Sequence, residues 1–506
     1  QLRPNTNLKD LDIYDFRGAR FPDWLGLECF SKLSTLCLVG ARNCTMLPAL
    51  GQLQFLKELV IARFDSIVTI GPEFYGNIFN SNKKAFASLQ KLTISTVPQL
   101  QQLMPPMDDV KGQAFPLLQE LRMEDCPKLE TILPHYLLPS LSVLDTTDGQ
   151  MKQLVASLPK APRIRSMRFV DHLGYYKLAS GLHNLKVHGS ESTLETLLER
   201  IESLGFSDST LQGLELSGCN EIPSIPLWRF QNLSHVSVDS CEHFESLCVN
   251  GRPLMSLHFL RISWCYNFMS FPEGGLHAPN LRILQLIATT GLKFLPKQMQ
   301  FLLPSLTELK IYICTKLRSF PKGGLPSSIE VLEISECKGI ESSPEGGFPS
   351  NLKELYISGC NKLVADRKHW GLQTLPSLSF LHMASCKEVE SFPEQRLLPS
   401  SLNTLWLANF RELNSLGYKG LHHLPFLNEL KIRDCPKLGS LPEEGLPSSL
   451  KYLEIPQCHR TLMERCKEGG EDCPKIKHIP KINIRHSLVF ELGIPWNERS
   501  SCSLTS

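Results

Sequence analysis

The 506-residue sequence predicts an α/β repeat solenoid, and three observations carry that prediction. The first is visible self-similarity between Leu303 and Cys458: LPSLTELKIYIC, LPSSIEVLEISEC, FPSNLKELYISGC, LPSLSFLHMASC, LPSSLNTLWLANF, LPFLNELKIRDC and LPSSLKYLEIPQC. The second is the period. The anchors Leu306, Ile329, Leu352, Leu378, Leu402, Leu427 and Leu450 advance in steps of 23, 23, 26, 24, 25 and 23, the spacing of leucine-rich repeats. The third is strand alternation within each unit, which sends Leu309 and Ile311, or Leu355 and Ile357, inward and Lys310 and Tyr356 outward. One such strand cannot bury its own apolar set, but parallel stacking covers each set with the next. The predicted architecture is a horseshoe with a long parallel β-sheet on its concave face and mostly irregular or short helical convex segments.

The elements follow in order. Units anchored at Leu8, Leu33 and Leu56 open the chain, and an insertion at 71–86 reads as too polar for core. Units at Leu89 and Leu118 lead into degenerate ones at Leu141, Ile164 and Leu182, within 141–190. The capping box Ser192-Thr193-Leu194-Glu195, followed by Leu197, Leu198, Ile201 and Leu204, predicts a convex helix over 193–204. Units at Leu211, Leu233, Leu257 and Leu281 precede the regular stretch. The expected total is 19 repeats in one solenoid over 1–486, with a closing turn over Cys466 to Ile484 and a loose tail at 487–506. The residue after each strand is expected to turn the chain. It reads as the ladder cysteine, small and tolerant of burial, and prolines such as Pro321 keep the return extended.

Apolar content of 42% and charged content of 21% are those of a folded soluble protein. A net charge of +2 without a basic cluster argues against nucleic acid or an anionic membrane as main partner. Ten of the 17 cysteines (Cys126, Cys219, Cys241, Cys265, Cys314, Cys337, Cys360, Cys386, Cys435 and Cys458) follow the repeat and not pairs, which predicts free thiols in a reducing, cytoplasmic setting. No apolar run is long enough to span a bilayer, and no signal-type N-terminus is visible. The start at Gln1, inside a repeat already under way, reads as a fragment.

Phe21 to Gly26 (FPDWLG), Cys44 to Leu59 (CTMLPALGQLQFLKEL) and Gly71 to Asn77 (GPEFYGN), in that order, closely resemble the leucine-rich-repeat domain of plant coiled-coil-class nucleotide-binding disease-resistance proteins. Cys-Pro-Lys-Leu at Cys126 to Leu129 and at Cys435 to Leu438, and Pro474 to Pro480, resemble the same family. The likeness covers nearly the whole chain and is weakest over 141–205. Cys473 departs from the tryptophan often found there. The resemblance implies a domain that recognises pathogen effectors or altered host proteins and restrains a nucleotide-binding switch domain in plant defence. ADP or ATP would then belong to an upstream domain, because no phosphate-binding Gly-x-x-x-x-Gly-Lys-Ser/Thr occurs here.

No sequence pattern for catalysis or metal binding appears, so no catalytic, cofactor or metal residues are assigned and the chain reads as a non-enzyme. His382 and His423 read as surface residues. The sequons at Asn43 and Asn232 would matter only in a secreted chain. The candidate partner site is the concave column Lys310, Glu333, Tyr356, His382, Trp406, Lys431 and Glu454, which spans roughly 29 Å at the parallel-strand spacing. Tyr312, Phe380 and Tyr452 lie in neighbouring columns, and aromatic residues with mixed charges suit an interface. A second expectation places Asp10, Asp12, Asp15 and Arg63 against the chain's own switch domain. The substrate-recruiting arm of a ubiquitin ligase is the alternative, and a secreted receptor ectodomain is disfavoured by the missing Gly-x-Ile-Pro repeats.

Overall fold

The computed structural model describes residues 4–76, 84–104, 114–129, 138–146, 166–170, 183–188 and 211–484. The predicted helix over 193–204 and the tail at 487–506 lie outside them. The chain divides into two compact units, Gln1–Leu306 and Thr307–Ser506, where the sequence reads as one array.

In the first unit, twelve described strands pair in parallel, each with the next, from Asp10–Tyr14 through Thr35–Val39 and Glu58–Ala62 to Ile283–Ile287. The weakly patterned region contributes Val143–Thr146, Ser166–Val170 and Asn184–His188, each beginning two residues after its anchor leucine or isoleucine. In the second unit the strands are Glu308–Tyr312, Val331–Ser335, Glu354–Ser358, Phe380–Ala384, Thr404–Ala408, Glu429–Arg433 and Tyr452–Glu454. An eighth, Lys481–Asn483, pairs with Tyr452–Glu454 inside the predicted closing turn. The five-residue strands of this unit alternate half-buried and buried positions except at Ala384, which is buried, and Leu309, Ile311, Leu332, Ile334, Leu355 and Ile357 are all 0% exposed. Each buried leucine or isoleucine of this kind contributes about 1.5–3 kcal/mol of transfer free energy.

The chain turns one residue earlier than the sequence reading placed it. Between the last strand residue and the ladder residue stands a residue at positive φ: Arg63 (57°), Thr96 (52°), Ser240 (52°), Trp264 (54°), Ile313 (56°), Glu336 (52°), Ser385 (54°), Asn409 (52°) and Asp434 (53°). Its N–H continues the ladder, since that of Ile313 donates to the Ser335 carbonyl at 2.8 Å and that of Glu336 to Ser358 at 2.8 Å. The ladder cysteine then drops into the core. Its thiol donates back to the strand's last carbonyl, as from Cys337 to Ser335 (3.3 Å) and from Cys360 to Ser358 (3.3 Å). All sixteen cysteines among the described residues are free.

The return segments carry short helices, among them Asp23–Gly26, Pro72–Tyr75, Asn361–Ala365 and Tyr418–His422. They also carry two-strand parallel ribbons that the sequence reading omits, such as Thr69–Ile70 with Gln102–Leu103 and Ser391–Phe392 with Ser415–Leu416. The insertion at 71–86 is not too polar for core at its two ends. Phe74, Tyr75, Ala85 and Phe86 are fully buried, and Phe86 stacks on Phe115 at 5.0 Å between ring centroids. Asn77 to Lys83 mask this in the sequence, because their polarity dominates any average over the segment. Gly51 makes the packing feasible: a Cβ there would stand 2.4 Å from the Tyr75 carbonyl oxygen.

The second unit closes with two short helices, Arg460–Arg465 and Cys473–Ile476. The Asp472 carboxylate, wholly buried, receives Arg465 Nε at 3.0 Å, Lys475 Nζ at 2.8 Å and the Leu441 N–H at 3.0 Å. Burial alone would raise its pKa, but these three donors outweigh it and bring the value down to about 2.

Candidate partner-binding face

Parallel pairing without slippage brings the predicted residues into one row. The register runs Lys310 to Glu333, Glu333 to Tyr356, Tyr356 to His382, His382 to Trp406, Trp406 to Lys431 and Lys431 to Glu454, and continues to Asn483. Phe380 and Tyr452 stand in the adjacent row with Glu308, Glu354, Glu429 and Lys481, and Tyr312 stands in the row on the other side. All ten predicted site residues are half-buried on the open face of the sheet.

The centre of this face is aromatic. Tyr356 leans on Phe380 (4.9 Å between centroids, 35° between planes), meets His382 edge-on (6.0 Å, 81°), and His382 lies against Trp406 (4.5 Å, 32°). His382 is therefore not the plain surface residue expected. Its Nε2 is covered and has no hydrogen-bond partner, and burial lowers its pKa to about 4. His423, by contrast, is exposed, with Nε2 3.1 Å from the Leu398 carbonyl oxygen.

The two flanks differ in charge. Over Lys481–Asn483 and Glu429–Arg433, cations sit on rings: Lys431 Nζ is 5.9 Å from the centre of Trp406 and 5.6 Å from that of Tyr452, and Lys481 Nζ is 5.1 Å from that of Tyr452. Lys431 also pairs with Glu429 at 3.2 Å. Over Glu308–Tyr312, Val331–Ser335 and Glu354–Ser358 the outward residues include three carboxylates, Glu308, Glu333 and Glu354, two phenols, Tyr312 and Tyr356, and a single cation, Lys310. The Tyr356 hydroxyl donates to Glu354 Oε2 at 2.8 Å, and Tyr312 hydrogen-bonds Glu333. Burial, then the carboxylate it serves, raises the pKa of each phenol. Glu333 is also raised, by burial first and by Glu308 and Glu354 beside it, against the opposing Tyr312 bond and Lys310.

Lys481 and Asn483 were missed by the sequence reading. The apolar and polar alternation of Lys481-Ile482-Asn483-Ile484 was the signal, hidden by the lack of a leucine anchor. In the first unit Asp10, Asp12, Asp15 and Arg63 are exposed as expected, and Asp12 accepts the Cys37 thiol hydrogen. His235 stacks face to face on Phe259 at 4.2 Å on the same outward row as Asp10, a pair the sequence did not suggest. Among the described residues no three His, Cys, Asp or Glu side chains are grouped to hold a metal, and no helix is long and apolar enough to cross a membrane.

The R13L1/DRL21 type of leucine-rich repeat matches residues 1–64. The chain is 29% identical over 290 residues to the RPP13-like disease resistance protein 1 of Arabidopsis thaliana, covering 56% of this chain and 23% of that one. The chain is a leucine-rich-repeat solenoid that is similar to plant disease-resistance proteins. A second Arabidopsis thaliana disease resistance protein is 25% identical over 402 residues, 66% of this chain and 28% of its own length. Disease resistance protein RGA2 of Solanum bulbocastanum is 29% identical over 130 residues, 25% of this chain and 13% of that protein. This leucine-rich-repeat domain thus spans about a quarter of the length of the two Arabidopsis relatives.

Proposed function

We propose that this defence-related leucine-rich-repeat domain is the recognition part of an intracellular plant immune receptor, and that it binds a pathogen effector or a modified host protein through the open face of its second unit. The single observation that supports the reading is the aromatic row Tyr356, His382 and Trp406 with Phe380 beside it, set between an acidic and a basic flank. Half-buried aromatics ringed by charge are what interface hot spots are made of. In the longer protein the exposed acidic strand end at Asp10, Asp12 and Asp15 would face a nucleotide-binding switch domain and help to restrain it, the nucleotide being held by that domain.

The test is a defence-output assay in the full-length receptor carrying Trp406→Ala or Tyr356→Ala. Truncating a central aromatic anchor costs roughly 2 kcal/mol or more of binding, about thirtyfold in affinity, so recognition should fall while protein level stays normal. Wild-type output in both variants would remove the open face as the recognition surface. For restraint, residues 1–130 co-expressed with the switch domain should associate in a salt-sensitive way, and salt-indifferent or absent association counts against it.

A further inference from the structure

The two flanks of the open face treat their aromatic rings differently, and that difference identifies a partner group. On the Lys481 side each ring already has a cation from the chain itself, at 5.1–5.9 Å. On the Glu308 side, among the described residues, no lysine or arginine lies over Tyr356 or Phe380, although the two rings form a tilted pair 4.9 Å apart. Three carboxylates, Glu308, Glu333 and Glu354, stand there on successive strands, and one outward ammonium, Lys310, answers them through Glu308 at 3.1 Å.

Resting on the open-face reading above, we propose that the Tyr356–Phe380 pair with Glu333 and Glu354 is a subsite for an arginine side chain carried by an extended segment of the protein partner. A planar guanidinium suits both halves of the site. It stacks on an aromatic face, and its fork of N–H donors matches carboxylates. Glu333 is next to Tyr356 in register and Glu354 is two residues before it on the same strand, so both carboxylates stand at the edge of the ring on which the guanidinium would lie. Each carboxylate already accepts one phenol hydrogen, from Tyr312 and Tyr356, which orients it and leaves further lone pairs for a cation. The pKa of Glu333 is raised by burial first and then by Glu308 and Glu354, and that second part, the crowding of carboxylates, is relieved when a positive group enters. A lysine would gain the charge term but neither the stacking area nor the paired donors.

The experiment uses the whole chain and a defined probe, the peptide acetyl-Gly-Arg-Gly-Arg-Gly-amide, against its citrulline twin, in which a neutral ureido group replaces each guanidinium. Calorimetric titration at low ionic strength should show the arginine peptide binding roughly five- to tenfold more tightly. Glu333→Gln/Glu354→Gln, which keeps shape and removes charge, should erase the preference while the melting curve stays that of the wild type. Trp406→Ala, beyond the carboxylates, should keep it. No preference in the wild type, or a preference that survives in the Gln/Gln variant, overturns the assignment. Should the arginine preference fail while Trp406→Ala still abolishes defence output, the open-face reading stands and this subsite alone falls.

Discussion

The two units fill the same inner position with different groups. In the second unit the ladder is thiol at Cys314, Cys337, Cys360, Cys386, Cys435 and Cys458, with one phenylalanine, Phe410; in the first it starts at the half-buried Phe16 and runs, among the described residues, through Ala41, Phe64, Val97, Cys126, Cys219, Cys241, Cys265 and Thr289, all buried. Where the ladder residue is a ring, it meets a ring from a return segment: Phe64 with Phe21 at 6.2 Å, Phe410 with Phe392 at 6.4 Å. In the return segments that follow Phe64 and Val97 the interior is filled by Phe74, Tyr75, Phe86 and Phe115, whose ring contacts run from 4.9 to 6.1 Å between centroids. Core volume per repeat is what the fold requires, and either the ladder or the return segment can supply it.

The strongest way to break this comparison is to empty one position in each unit. Phe115→Ala removes a fully buried ring from the stack and should cost about 3–5 kcal/mol. Cys337→Ala removes one sulfur and a weak thiol bond, for roughly 1 kcal/mol. Because repeats lose structure locally, hydrogen exchange over the neighbouring strands is the appropriate readout. Equal losses for the two variants would mean that the cysteine ladder is more than filler, and the equivalence of the two units would fail.

A second contrast is between strands. In the first strand, Asp10–Tyr14, Leu11 and Ile13 are only half-buried, whereas Leu453, near the other end of the repeats, is 0% exposed behind the closing segment. The cap's cover depends on Asp472. Asp472→Ala would leave Arg465 with Glu471 alone and Lys475 with only the Leu441 carbonyl, around a buried cavity, and should cost about 3 kcal/mol, seen as faster exchange and proteolysis confined to 440–484. The pH dependence has a definite sign. A carboxyl with its folded pKa lowered from 3.8 to about 2 stabilises the cap fully above pH 4 and loses that contribution as the pH falls from about 4 to about 2. A wild-type cap as stable at pH 2 as at pH 6 would assign its closure to apolar packing instead, and an Asp472→Ala cap that still weakens in that window would assign the acid sensitivity to another carboxyl.

Much of this was legible in the sequence because a strand that buries every second residue must repeat its apolar set in register. Lys310 to Glu454 could be placed in one row from leucine spacing alone. The weakly patterned Val143, Ser166 and Asn184 strands could also be placed by counting from Leu141, Ile164 and Leu182. What was not legible depends on neighbours distant in sequence. The burial of Phe74 and Tyr75 needs Phe86 and Phe115 from across the insertion. The covered Nε2 of His382 needs Trp406 from the next repeat. The acidic and basic flanks of the face were spelled out in the sequence, but which rings already carry a cation depends on side-chain directions that spacing does not give.

The smallest expected effect concerns the turn, where the units agree and the sequence misled. A left-handed residue before the ladder position is needed in every well-described repeat, yet the residues there include Gly40 and Gly359, Asn409 and Asp434, and also Thr96, Trp264 and Ile313. Left-handed backbone costs an ordinary L-residue roughly 1–2 kcal/mol, more when branched at Cβ, while glycine and asparagine adopt it readily. The position therefore carries no glycine signature, and its conformation is imposed by the hydrogen bond from its N–H to the next strand, 2.8 Å for Ile313. Ile313 is 37% exposed, so it stands at the edge of the core, where an asparagine side chain can reach solvent. Ile313→Asn should raise stability by about 0.5–1 kcal/mol and Ile313→Val, still branched, should not. Denaturant midpoints for the two variants measure the difference, and an asparagine variant no more stable than the valine one would mean that the turn holds no strain at this residue.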